Sequence, residues 1–196
     1  MIEISASLDP NPTVEYVKLV NTIDFVESIH IDIFDGIFVE RNTTNMPFKE
    51  IIKNAKKPVD VHLTISEPEK NYKKYCSKTR SLSFQIEGVK DHSKAMQLLK
   101  SGVIDGFAIN APTPLSVLDN YLPYCNTITI MAIVSGKSGQ KFMPEALPKI
   151  TEIKKRYPKI RVIVDGGVND DNIQSLIDAG ADVAVQGTNI YRKVTK

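Results

Sequence analysis

Short apolar runs rich in valine and isoleucine alternate with amphipathic stretches along the whole chain. The runs predict eight strands, at residues 2–7, 25–33, 59–65, 82–86, 106–110, 127–134, 161–165 and 182–186. Helix-like stretches lie between most of them, at residues 11–22, 67–75, 90–100, 115–121, 144–157 and 170–179. This alternation is typical of a parallel sheet, because each helix returns the chain to the starting edge of the next strand.

Eight such units favour an α/β fold of the (β/α)8 barrel type. The 196 residues contain no linker and no change of composition, so residues 1–196 are predicted to form one domain. The alternative is an open doubly wound sheet, but its G-x-G-x-x-G fingerprint after the first strand is absent. Only residues 187–196 follow the last strand, which predicts a truncated final helix. We therefore expect a homo-oligomer, in which a second subunit covers the apolar surface beside the first and last strands.

Composition argues against two broad classes of function. The net charge is +2 and the basic residues are scattered, unlike the concentrated basic face of a nucleic-acid-binding protein. No apolar run is long enough to span a bilayer, so a membrane protein is not expected. The opening M-I-E-I-S-A-S lacks the basic and apolar regions of a signal peptide, and we expect a cytoplasmic location.

Polar side chains stand near the C-terminal ends of three predicted strands. They are His30 and Asp32 in S-I-H-I-D-I, His62 in V-D-V-H-L and Asp165 in V-I-V-D-G-G. Residues two apart on a strand face the same side, so His30 and Asp32 are expected to point at the barrel axis, where active sites lie at this end. Two imidazoles and two carboxylates suffice to bind one divalent ion such as Zn²⁺, Fe²⁺, Mn²⁺ or Co²⁺. The two carboxylates also come from distant strands, which can place one base on each side of a substrate.

Six longer motifs extend this pattern over nearly the whole chain. They are H-I-D-I-F-D-G-I-F-V, D-V-H-L-T-I-S-E-P, N-A-P-T-P-L, G-Q-K-F-M-P-E-A-L-P-K-I, V-D-G-G-V-N-D-D-N-I and A-G-A-D-V-A-V-Q-G-T. Together they resemble the ribulose-phosphate 3-epimerase family. The resemblance implies a metal-dependent (β/α)8 isomerase that inverts C3 of a ketose phosphate, with ribulose 5-phosphate and xylulose 5-phosphate as the expected pair.

The resemblance also implies a role for individual residues. His30, Asp32, His62 and Asp165 would bind one divalent metal. Asp32 and Asp165 would be the acid/base pair, of which one removes the C3 proton and the other returns a proton to the opposite face of a metal-stabilised enediolate. Asp35 would hold the turn after the second strand. Substrate would contact Ser7, Met131 and, through three glycine-containing loops that bind phosphate, Gly136, Gly139, Gln140, Gly166, Gly167, Gly187 and Thr188.

Four departures from the family pattern lie around this centre. The loop after the sixth strand reads V-S-G-K-S-G-Q in place of N/E-P-G-F-G-G-Q, so that Lys137 either supplies a charge for an anion or is solvated. Phe34 and Thr64 stand where the family has methionine, Gln85 replaces the histidine of H-x-E, and F-V-E-R-N replaces F-V-P-N. These changes leave two alternatives open. One is an epimerase of another sugar, such as allulose 6-phosphate or a non-phosphorylated ketose, and the other is a non-catalytic sugar-binding descendant.

Overall fold

A computed structural model describes residues 1–9, 11–136 and 139–194, and it contains a closed barrel. Its eight parallel strands are β1 (Glu3–Ser7), β2 (Ser28–Phe34), β3 (Val59–Thr64), β4 (Ser81–Gln85), β5 (Gly106–Asn110), β6 (Thr127–Met131), β7 (Arg161–Asp165) and β8 (Val183–Gln186). The strands pair in chain order and β1 also pairs with β8, which closes the barrel. The predicted (β/α)8 barrel is confirmed, and the open doubly wound sheet is wrong. Lys137 and Ser138 lie outside the described residues.

Helices surround the barrel. They are α1 (Val14–Val20), α2 (Phe48–Asn54), α3 (Pro68–Asn71), α4 (His92–Lys100), α5 (Ala146–Arg156), α6 (Ile173–Ala179) and α7 (Thr188–Val194). The sequence pattern does not predict α2, which buries only Phe48 and Ile51. The helix predicted at 115–121 is a 3₁₀ turn at Leu115–Leu118 instead, followed by a second turn at Leu122–Tyr124. Pro123 lacks the N–H that a continuing α-helix would need there.

The short final helix covers its own side of the barrel. Ile190 of α7 is fully buried, and the ring of Tyr191 packs edge-on against Tyr16 of α1, with 5.6 Å between the ring centroids. This packing removes the argument that a second subunit must cover the surface beside β8 and β1, and the homo-oligomer stays a prediction. No helix within the described ranges is long and apolar enough to cross a membrane, and the cytoplasmic location also stays a prediction.

Alternation along β2 divides the strand between two environments, as predicted. Ile29, Ile31 and Ile33 are fully buried in the layer beneath the helices. His30 and Asp32 face the barrel interior instead, with 1% and 9% of their surface exposed. The strand is therefore buried on both faces, and its inner face delivers polar groups to the C-terminal mouth.

An ion-pair cluster fills the opposite, N-terminal end of the barrel. Arg80 donates to Glu3 Oε2 at 2.9 Å and to Asp60 Oδ1 at 3.1 Å. Arg161 donates to the same two carboxylates, at 3.3 Å from Glu3 Oε1 and 3.1 Å from Asp60 Oδ1. Two guanidinium groups and two carboxylates thus compensate one another, so the interior of the barrel carries charge at this end without an unpaired ion.

Replacing Asp60 with asparagine should lower the free energy of unfolding, with a dependence on pH. Burial raises the pKa of the Asp60 carboxyl, but hydrogen bonds from Arg80 and Arg161 outweigh it and bring the pKa to about 2. Because this value lies below the unfolded one, the stabilisation is present above about pH 4 and is lost as the pH falls towards 2. The pH-dependent loss in Asp60→Asn should be about 2 kcal/mol at pH 5 and about half of that at pH 3. Urea unfolding at both pH values measures it, and a difference that does not change with pH would contradict the expectation.

Candidate metal centre and active site

Strand register brings three of the predicted ligands together at the C-terminal mouth. Asp32 of β2 lies directly beside His62 of β3 in the parallel ladder, and His30 precedes Asp32 by two residues on the same face. His62 Nδ1 lies 2.9 Å from Asp32 Oδ1, and His30 Nε2 lies 3.4 Å from the same oxygen. One ligand atom from each of the three residues falls within 4.8 Å of the others, which is compact enough for a shared ion.

The environment of His30 fits a metal ligand. Its ring is buried, yet neither Nδ1 nor Nε2 makes a hydrogen bond. A buried imidazole whose nitrogens make no hydrogen bond is costly, and coordination of a cation removes the cost. Burial by itself would lower the pKa of His30, but the neighbouring Asp32 raises it to about 9, so the position attracts positive charge. The two imidazoles and the carboxylate are therefore a donor set suited to a divalent ion of the zinc or iron type.

Asp165 faces the same cavity but lies outside this set of three. It ends β7, beside Met131 of β6, and its carboxyl lines the cavity together with Asp32. Burial raises the pKa of Asp165 to about 6, and the charge of Asp32 adds to the rise. Burial would also raise the pKa of Asp32, but His30 and His62 hold it well below its usual range. The two carboxyls thus differ in their hold on a proton, as acid and base groups of one site do. The role of Asp165 as a fourth ligand stays a prediction.

A cavity of about 310 Å³ opens above these carboxylates. The structure places all the residues predicted to contact substrate in its wall, namely Ser7, Met131, Gly136, Gly139, Gln140, Gly166, Gly167, Gly187 and Thr188. They come from the ends of β1, β6, β7 and β8 and from the loops that follow. The cavity is therefore built at the C-terminal face, where barrel enzymes bind their substrates.

Two glycines after β7 bring the main chain itself to the cavity surface. Gly166 and Gly167 have φ values of +105° and +66°, which other residues rarely adopt. A Cβ atom at Gly166 would lie 2.4 Å from Ile133 Cγ1, and one at Gly167 would lie 2.5 Å from the backbone nitrogen of Phe142. A side chain at either position would force the loop apart, so glycine is required for this wall.

Asp35 has the structural role that was predicted for it. Its Oδ1 accepts hydrogen bonds from the backbone N–H groups of Ile37 and Phe38, both at 2.9 Å. Its Oδ2 accepts one from the N–H of Ser66 at 2.8 Å, in the loop after β3. One carboxylate therefore shapes the turn after β2 and ties it to the neighbouring loop.

Several cavity residues were not predicted from the sequence. Asp9 and Arg41 form an ion pair across the mouth, and the Arg41 guanidinium lies over the Phe34 ring at 5.0 Å from its centroid. The altered F-V-E-R-N segment was the available signal for Arg41, whereas nothing in the sequence marked Asp9. Arg192 also lines the cavity, and its spacing of four residues from Thr188 on α7 was the signal that could have found it.

The changed positions Thr64 and Gln85 contact His62 of the candidate metal centre. Thr64 Oγ1 lies 3.1 Å from His62 Nε2, and Gln85 Oε1 lies 2.7 Å from the same nitrogen. Both side chains are fully buried. These departures from the family pattern therefore lie against a candidate ligand and not at the surface.

Solved structures similar to this one share the fold. A mutant tryptophan synthase α-subunit from Pyrococcus furiosus matches with a TM-score of 0.66 and 15% identity, over 99% of this chain and 89% of that one. N-(5'-phosphoribosyl)anthranilate isomerase from the same organism matches with a TM-score of 0.62 and 13% identity, over 97% and 90% of the two chains. Such low identities carry information about architecture alone.

Sequence similarity is more specific. The profile of the Ribulose-phosphate 3 epimerase family matches residues 3–191. Ribulose-phosphate 3-epimerase of Eremothecium gossypii is 32% identical, over 84% of this chain and 75% of that protein. Ribulose-phosphate 3-epimerase of Bacillus subtilis is 31% identical, over 97% and 93%. The chain therefore belongs to the ribulose-phosphate 3-epimerase family, whose members are epimerases of the isomerase class.

Proposed function

We propose that this protein is a metal-dependent epimerase that inverts C3 of a ketose phosphate and interconverts ribulose 5-phosphate and xylulose 5-phosphate. One observation carries the proposal. Asp32 and Asp165, on strands β2 and β7, face one cavity above two buried imidazoles, and their surroundings shift their pKa values in opposite directions. A proton transfer at one carbon that inverts its configuration needs such a pair of groups.

The chain's own residues supply the proton chemistry. One carboxylate accepts the proton at C3, and the carboxyl on the other strand donates a proton to the opposite face of the planar enediolate. For the reverse reaction the two groups exchange roles. Fixed positions at the ends of two barrel strands keep both groups within reach of the same carbon. When bound at His30, Asp32 and His62, a divalent ion supplies Lewis-acid stabilisation of the negative charge that develops on the substrate oxygens.

The charges of the cavity wall support a substrate with an anionic end. Arg41 is already paired with Asp9, and Asp32 lies against His30 and His62. Among the described residues that line the cavity, this leaves the guanidinium of Arg192 without an ion pair. It stands four residues after Thr188 on α7, next to the glycine loops. A dianionic phosphate at that end would meet an uncompensated cation, which favours a ketose phosphate over a free ketose.

Replacing Arg192 with glutamine should raise KM for the ketose phosphate about 10-fold and leave kcat nearly unchanged, since a charge-assisted hydrogen bond contributes about 1.5–3 kcal/mol. Lys193→Gln is the matched control, because it removes the same charge from the next residue, whose ammonium is engaged by Asp170 at 2.9 Å. Initial rates at several substrate concentrations measure both effects. If Arg192→Gln and Lys193→Gln had the same KM, Arg192 would not bind the phosphate group of the substrate.

Solvent exchange tests the reaction itself. The metal-loaded protein is incubated in D₂O with ribulose 5-phosphate, allulose 6-phosphate and the corresponding free ketoses, and NMR follows deuterium at C3. We expect label in ribulose 5-phosphate together with formation of its epimer. Label confined to allulose 6-phosphate or to a free ketose would identify that sugar as the substrate in place of ribulose 5-phosphate. No label in any sugar would support a non-catalytic sugar-binding protein instead.

A further inference from the structure

Buried polar side chains extend from His62 away from the cavity. His62 Nε2 faces Gln85 Oε1 at 2.7 Å, and the Gln85 amide nitrogen donates to Glu87 Oε2. His62 and Gln85 have no exposed surface, so water cannot substitute for either contact. The geometry therefore links a candidate metal ligand to a residue beyond β4 through one amide group.

The orientation of the Gln85 amide follows from its partner. A carboxylate can only accept, so the group that faces Glu87 Oε2 is the NH₂ of the amide. Glu87 is itself fixed, because its Oε1 accepts hydrogen bonds from the backbone N–H of Asn110 at 2.9 Å and from the hydroxyl of Thr113. The amide oxygen of Gln85 must then face His62.

That oxygen decides which ring nitrogen of His62 carries hydrogen. It only accepts, so Nε2 must be the N–H that donates to it. In the neutral ring the lone pair is then on Nδ1, which lies 2.9 Å from Asp32 Oδ1. Two acceptors at that distance repel each other unless a proton or a metal ion lies between them, so the pair is suited to hold a cation.

We propose that Gln85 is a positioning residue of the metal centre: held by Glu87, it fixes His62 as the Nε2–H tautomer and makes Nδ1 the nitrogen that binds the ion beside Asp32. This inference rests on the metal-binding part of the proposed function. The family pattern has a histidine at this position. A histidine ring nitrogen can either donate or accept, so it would not by itself fix the tautomer of His62. Outer partners of ligating histidines typically change metal affinity 10–100-fold when they are removed.

Metal affinity in Gln85→Met tests the proposal, because methionine keeps the length of the side chain and removes the acceptor. Competition with a chromophoric chelator should show Zn²⁺ bound about 10–100-fold more weakly than by the wild type. Thr129→Val is the matched control. It removes a buried hydroxyl of the barrel that has no hydrogen-bond partner among the described residues, Gln85 included, and its affinity should stay close to that of the wild type. Equal affinity in Gln85→Met and wild type would overturn the proposal.

Histidine ¹⁵N NMR of the zinc-loaded wild-type protein gives a second result that does not depend on how well the variant folds. We expect His62 to carry hydrogen on Nε2 and to bind zinc through Nδ1, and coordination through Nε2 would overturn the proposal. Neither measurement uses turnover. A protein that shows this tautomer and this affinity difference without C3 exchange would contradict the proposed reaction and leave the role of Gln85 intact. A protein that exchanges the hydrogen at C3 while its His62 coordinates through Nε2 would support the proposed reaction and contradict the role of Gln85.

Discussion

Asp165→Asn should reduce kcat for epimerisation about 10³-fold or more, because it removes one of the two groups that exchange protons with C3. The fold should be retained, since asparagine has nearly the same shape and Asp165 is only partly buried at the end of β7. Epimerisation and hydrogen exchange at C3 should be reduced to different extents. With Asp32 in place, C3 of one epimer should still exchange its hydrogen with D₂O, without inversion.

Asp32→Asn provides the complementary measurement, in which any residual exchange should appear in the other epimer. Its interpretation also requires the metal content, because Asp32 contacts both imidazoles. Asp182→Asn is the control, since Asp182 lies just before β8 at the N-terminal end of the barrel, pairs with Lys154 and does not line the cavity. It should retain wild-type kcat. Turnover near the wild-type rate in Asp165→Asn would end the two-base scheme.

His30→Ala should remove most of the bound metal. His30 brings a buried imidazole without a hydrogen-bond partner to the centre, and the loss of one of three donor groups leaves too few to hold the ion firmly. Binding of a metal to the native state raises stability by about 2.7 kcal/mol at a free concentration of 100 times Kd. The wild type should therefore melt at a higher temperature when Zn²⁺ or Co²⁺ is added, and His30→Ala should show almost no shift.

His92→Ala is the matched control for this experiment. His92 is the remaining histidine of the chain and begins α4, away from the cavity. Its Nδ1 lies 2.8 Å from the Tyr121 hydroxyl. Elemental analysis after dialysis should find wild-type metal in His92→Ala and strongly reduced metal in His30→Ala and His62→Ala. Equal metal content in His30→Ala and wild type would show that the ion binds elsewhere.

The strands and their inward faces could be predicted because they depend on local pattern. Alternation along β2 is enough to place isoleucines outside and His30 and Asp32 inside. The length of local segments was a poorer guide. Helix α2 holds only two buried residues, Phe48 and Ile51, which join the hydrophobic core, and Leu115–Leu118 form a 3₁₀ turn in place of an α-helix. Whether such short segments form an α-helix depends on tertiary contacts, which a pattern of a few neighbouring residues does not reveal.

The sequence by itself determined the barrel, its parallel strand order and the four polar residues at its C-terminal mouth, because hydrophobic period and strand alternation are properties of neighbouring residues. Only the tertiary structure decided that Asp32 stands between His30 and His62 while Asp165 faces them from another strand, and that Gln85 contacts both the His62 ring and Glu87. The same holds for the pairing of Asp9 with Arg41 and for the place of Arg192 in the cavity wall. The reason is physical: a strand fixes the direction of a side chain, whereas the distance between two side chains on separate strands is set by register and by closure of the barrel.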